Sequence, residues 1–213
     1  MRNTKSIHAA IALILIGVAF AWFMATSPSR TSSQEVLGSL KAISTNPDGT
    51  TQGLFSDVRV FTTIDALTRN SESVVVGTVI RPESSRNTAR DPLDPSKEAS
   101  DRVTMSQEYA FKVDEWIKGT GGSEIRIAYP QYTIMKDGSR FEIPYPALKT
   151  GSRYAMFLRE AIPGIQSPVA EPWQFLLSNG QSKAMTLLEG GAPEAMMNLS
   201  EVNLLGQARR AAK

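Results

Sequence analysis

A side chain that attacks needs a base beside it, and here the usual base is missing. The single histidine, His8, stands near the N-terminus, and the 205 residues that follow contain no imidazole and no cysteine. Ser-His-Asp and Cys-His systems are therefore excluded from the body of the chain. Thiolate metal sites and disulfides fall with them. A serine–lysine dyad lacks its Ser-x-x-Lys spacing, and Ser182 and Lys183, as neighbours on a strand, face opposite ways. Zinc would have only carboxylates to bind. Asp91, Asp94, Glu98 and Asp101 cluster in one polar stretch, but Leu93 and Pro95 stand where a calcium loop needs ligands, and its sharp-turn glycine is absent. The segment GTGGS at 119–123 has no Lys-Ser/Thr and so is a hairpin turn rather than a phosphate loop.

Two chemistries survive this filter. A pair of carboxylates can hydrolyse a glycoside, and Asp114, Glu115 and Glu171 are candidates because they lie beside Trp116 and Trp173. The competing reading makes them exposed acids on strand faces. The second chemistry is binding. Tyr129, Tyr132, Tyr145 and Trp173 all occur next to or near prolines, at expected strand ends and loops. Flat rings held by proline at one rim supply contact area for a sugar or a peptide. Alternatively the rings plug the ends of the fold and the prolines stop strands. These four are the candidate binding residues. No catalytic residue, metal or cofactor is assigned.

The elements that must position these rings are short. After Thr62 and Thr63, an apolar spacing through Ile64 and Leu67 predicts a Thr-capped helix ending near Asn70. The β-branched run at 73–80 predicts a strand. Residues 81–101, with three prolines and many charges, predict a long exposed loop or an insertion at a strand connection. Tyr109, Phe111 and Val113 alternate with polar or small residues, as do Ile125, Ile127 and Tyr129. With glycines between them, the two runs predict an antiparallel hairpin. Further strands are expected around 141–143, 153–158, 173–177 and 183–187. Ser200 and the following residues predict a capped helix with Arg209 and Arg210 in its last turn.

Ahead of this body, residues 9–25 read AAIALILIGVAFAWFMA, with Arg2 and Lys5 before them. As a helix this run spans about 26 Å, close to the thickness of a bilayer core. It predicts an uncleaved anchor or a cleaved signal, and either way the basic flank keeps the N-terminus inside and sends the rest across. Residues 27–60 read as a tether with at most one short helix, 61–190 as the domain, and 191–213 as a helical extension. Without Arg2 and Lys5, basic and acidic residues are equal in number at 21. A neutral body offers no footprint for nucleic acid.

Three segments carry a resemblance: NSESVVVGTVI, YAFKVDEWIKG…GGSEIRIAY and LKTGSRYAMFLRE. Their order resembles that of exported bacterial domains and of the OB-fold modules of netrins and tissue inhibitors of metalloproteinases, over roughly residues 62–190. The resemblance implies a small OB-like antiparallel β-barrel, mainly β, with a short N-terminal and a C-terminal helix. Those inhibitors act through an N-terminal cysteine, and none exists here, so no inhibitory role is implied. The expectation is a non-enzymatic module held at the cell membrane by its N-terminal helix and facing outward, binding an envelope protein or an extended ligand. The alternatives are a structural subunit that docks through its C-terminal helix, and a carboxylate-dependent wall hydrolase.

Overall fold

The structure is a computed structural model describing residues 35–45, 51–143, 145–188 and 191–213, with side chains from residue 59 onward except at 161. The 9–25 run, and with it the anchor and its orientation, lies outside the described residues. Among the described residues no helix is long and apolar enough to cross a membrane.

The strands are β1 (Glu35–Thr45), β2 (Thr51–Phe61), β3 (Ser73–Asn87), β4 (Arg102–Lys118), β5 (Glu124–Met135), β6 (Arg140–Glu142), β7 (Arg153–Ile162), β8 (Ile165–Pro168), β9 (Gln174–Ser178) and β10 (Gln181–Met185). Helix α1 (Ile64–Asn70) follows β2, and α2 (Glu201–Ala211) ends the chain. The chain is thus mainly β with a C-terminal helix. Strand order is β10-β9-β7-β3-β4-β5-β6-β1-β2. The short β8 pairs with β7 antiparallel and with β5 parallel. Pairing therefore runs from β3 through β4, β5, β8 and β7 and back to β3.

The valine run of β3 follows from this position, because both of its faces are covered. Val74 and Val76 face one apolar cluster, which holds Phe61, Phe157 and Phe175 together with Ile64 and Leu67 of α1 and Leu204, Leu205 and Ala208 of α2. Val75 and Val79 face the other, with Phe111, Ile127, Tyr154, Met156 and Trp173. A strand buried on both sides reads as continuous apolar residues rather than as an alternation. The β3–β4 ladder shifts register four times, once between Val76 and Gly77. A Cβ at Gly77 would stand 2.0 Å from the Lys112 carbonyl oxygen and 2.7 Å from the Phe111 ring, so the close approach of β4 requires glycine.

Both helices are capped as their sequences predict. The Thr63 hydroxyl accepts from the Ala66 N–H at 3.2 Å, and the Ser200 hydroxyl accepts from the Asn203 N–H at 3.2 Å. In the last turn of α2, Arg209 makes a two-pronged contact with Glu115 of β4 at 2.8 and 2.7 Å. The apolar side of α2 is spent on its own domain, against α1 and the sheet.

Several sequence expectations are corrected. Residues 81–87 are strand, because β3 continues past Ile80 and pairs through Asn87 with Met105, its charged side chains turned outward; the loop is confined to 88–101. The stretch expected as a tether holds the β1–β2 hairpin, whose β1 pairs with β6. Strand β8, too short to show a periodicity, had no expectation.

Candidate functional site

Three of the four candidate rings meet. Tyr129 projects from β5, Tyr145 from the segment after β6, and Trp173 stands just before β9. Ring centroids are 5.4 Å apart for Tyr129 and Tyr145, 5.5 Å for Tyr129 and Trp173, and 5.9 Å for Tyr145 and Trp173. Tyr109 of β4 joins them, 5.9 Å from Tyr129 and nearly perpendicular to it. Edge-to-face contacts of this kind add stability beyond the area they bury. The polar ends are used inside. Tyr129 donates its hydroxyl hydrogen to the Pro146 carbonyl and accepts from Gln174 Nε2 at 3.1 Å. Burial pushes the phenols of Tyr109, Tyr129 and Tyr145 up, so they remain neutral hydrogen-bonding groups in the physiological range.

Behind the rings lies Glu171, 2 % exposed. Its backbone is fastened to β2 twice: the Phe61 N–H donates to its carbonyl, and its own N–H donates to the Arg59 carbonyl, both at 3.0 Å. Its carboxylate receives the Tyr145 hydroxyl on Oε1, and the Thr186 hydroxyl at 2.7 Å and the Leu187 N–H at 3.4 Å on Oε2. Burial dominates these hydrogen bonds and pushes the acid up to about 7.

The outward side of the cluster is a groove of about 350 Å³. Its walls include Tyr109, Tyr129, Tyr132 and Tyr145, with Arg140 and Glu142 of β6 at one side. Tyr132 and Glu142 are paired across β5 and β6. From the neighbouring diagonal position the Arg140 guanidinium lies over the Tyr132 ring, 3.7 Å from its centroid. Arg140 also donates to Glu142 at 2.5 Å. The groove thus offers ring faces, a phenol and a neutralised ion pair.

The four candidates are therefore not equivalent. Half-buried Tyr132 and Tyr145 form the accessible wall of the groove, Tyr129, 3 % exposed, lies at its floor, and Trp173 is wholly buried behind it; Tyr129 and Trp173 both pack as core. The segment is held on both sides, by the bonds of Glu171 to β2 and by the Phe157 N–H of β7, which donates to the Trp173 carbonyl at 2.8 Å. No protein-family model, curated protein or solved structure matches the chain.

The candidate carboxylates do not assemble. Asp114 faces Arg153 at 3.5 Å, Glu115 is held by Arg209, and Glu171 sits among Tyr145, Thr186 and Leu187. In the 88–101 loop, Asp91 accepts from the Leu93 and Asp94 N–H groups, Asp94 accepts from Ser96 and pairs with Lys97, and Glu98 accepts from Asn87. Asp101 pairs with Arg102. These acids are turn-formers. Sequence reasoning missed Arg140 and Glu142, which a β5–β6 hairpin pairing of Tyr132 with Glu142 would have exposed. Tyr109 was read as strand filling, and its ring does both jobs. Thr186 and Tyr145 reach Glu171 from 15 and 26 residues away, a separation that leaves no local signal.

Proposed function

We propose that the chain is an extracytoplasmic, membrane-tethered binding module that holds a protein partner or an extended ligand in the tyrosine groove. The observation that carries this reading is the groove itself: half-buried Tyr132 and Tyr145 present ring surface at low conformational cost over a floor made by the buried Tyr109 and Tyr129. The fold reading beside it is an OB-like barrel. The return of pairing from β3 through β4, β5, β8 and β7, with one parallel closure, supports it. So does the location of the groove, since Tyr109, Tyr129 and Tyr132 come from β4 and β5, the second and third strands of that ring, and OB folds bind across the corresponding face. A neutral body agrees with a partner other than nucleic acid, and no cofactor is invoked. A docking role for α2 loses most of its motive, because Leu204, Leu205 and Ala208 are already buried and Val202 is the large apolar side chain it leaves exposed.

The test is photo-cross-linking from Tyr132 replaced by benzoylphenylalanine in the full chain, in intact cells. A discrete adduct is expected, and it should be lost when Arg140→Ala removes the stacked cation while Leu93→Ala, on the exposed loop, leaves it unchanged. Absence of any adduct from Tyr132, or equal yield in all variants, overturns the groove as the binding surface.

A further inference from the structure

Resting on that reading of the groove, one inference concerns how it is controlled. We propose that Glu171 and Tyr145 form a proton-operated latch on the groove wall: ionised Glu171 holds Tyr145 by accepting its hydroxyl hydrogen, and protonation of Glu171 reverses and weakens that hydrogen bond and loosens the ring. Tyr145 belongs to both places at once. Its ring lines the groove, and its hydroxyl reaches inward to Glu171 Oε1.

The asymmetry of the carboxylate makes the latch directional. Oε2 faces two donors, the Thr186 hydroxyl and the Leu187 N–H, and the Thr186 oxygen already accepts from the Leu188 N–H at 3.1 Å. On Oε1 the one hydrogen bond among the described residues is that donated by Tyr145. A proton on the acid therefore goes to Oε1, where it points at the tyrosine oxygen. The tyrosine must then accept and turn its own hydrogen elsewhere. In the ionised form the same contact is a hydroxyl donating to a full negative charge, about twice as strong as a neutral pair. Glu171 cannot follow the tyrosine outward, because its backbone is tied to Arg59 and Phe61 of β2. With that hydrogen bond weakened, the Tyr145 ring keeps its edge contacts with Tyr129 and Trp173.

The groups facing Glu171 are Tyr145, Thr186, Leu187 and the β2 backbone, with Tyr129 of β5 one ring further out. Burial raises both phenols further, whereas it brings the acid to about 7. Of the three, Glu171 is the one that changes charge near neutrality. Closing the latch above neutrality fixes one wall of the groove before a ligand arrives, which reduces the ordering cost of binding.

The experiment needs no ligand. The full-length chain is labelled with tyrosine carrying ¹³C at Cζ, whose shift reports hydrogen bonding of the hydroxyl. Five signals result, one for each tyrosine, and Tyr145→Phe assigns the relevant one. Between about pH 5.5 and 8.5 the Tyr145 signal is expected to titrate with a midpoint near 7, and to stay flat in Glu171→Gln. Thr186→Val removes a donor that favours the carboxylate, so its midpoint is expected higher. A flat Tyr145 signal in the natural chain, a titration that persists in Glu171→Gln, or an unmoved midpoint in Thr186→Val overturns the latch. None of these results touches the cross-linking test, so latch and groove fail separately.

Discussion

Replacing Glu171 with glutamine should remove one specific component of the pH dependence of stability. In the unfolded chain this carboxyl titrates at its ordinary 4.5, and in the fold burial pushes it up to about 7. Between those two values the folded state retains a proton that the unfolded state has lost. Stability from this group is thus fully present below 4.5, falls as pH rises through the interval, and is gone above about 7. The gap corresponds to roughly 3 kcal/mol. At 2 % exposure, solvent screening does little to reduce it. The assay is urea unfolding of the full chain in detergent, followed by circular dichroism at about pH 5 and pH 8, for the natural chain and Glu171→Gln. Other acids contribute to both proteins alike, so the quantity of interest is the difference between the two slopes. Because the lower pH already lies above 4.5, the natural chain should lose about 2.5 kcal/mol more than the variant on going to the higher pH. Parallel pH profiles would refute the reasoning, because they would mean that the carboxyl is solvated or otherwise compensated in the fold.

Two further outcomes test how the domain is held together. Gly77→Ala places a methyl group 2.0 Å from the Lys112 carbonyl oxygen, and overpacking against backbone should cost about 3 kcal/mol, read as a lower thermal midpoint. At α2, Leu204→Ala should cost about 3 kcal/mol, since Leu204 is wholly buried. Arg209→Ala, which breaks a pair whose side chains are 48 % and 38 % exposed, should cost less than about 1 kcal/mol and lose even that in high salt. The reverse order in urea unfolding would show that charge rather than burial docks the helix.

The elements legible in the sequence were those with a local rule. Thr63 and Ser200 announce helices because a cap needs an oxygen next to exposed N–H groups, and both caps are made. Tyr109, Phe111 and Val113 announce a strand because their alternation with Lys112 and Asp114 survives, although Ala110 on the opposite face is buried as well. What stayed hidden was structure whose stability comes from distant partners. Strand β3 runs on through Arg81, Pro82 and Glu83, residues that discourage a strand, because bulges against β4 turn them outward and carry them into ion pairs with Arg126 and Glu124. β8 has four residues and is defined by what it pairs with.

The site shows the same division in sharper form. Ring type and neighbouring prolines identified Tyr129, Tyr132 and Tyr145, because those features are local; whether a ring faces outward or inward is not. Trp173 and Tyr145 had the same credentials, and the structure separates them by burial. The deciding residue is Glu171, which lies beside Trp173 in sequence and holds Tyr145 from 26 residues away. Its hydrogen bonds to β2, with the bond from the Phe157 N–H to the Trp173 carbonyl, hold this segment against the sheet, and its side chain takes the Tyr145 hydroxyl inward while the ring remains on the groove wall. Read in isolation, a glutamate next to a tryptophan suggested one half of a hydrolytic pair. Placed among Tyr145, Thr186 and Leu187, with Asp114 and Glu115 engaged by arginines elsewhere, the same acid orders the aromatic cluster. The proposed latch rests on that arrangement, a buried carboxyl tied by one hydroxyl to the wall of a groove.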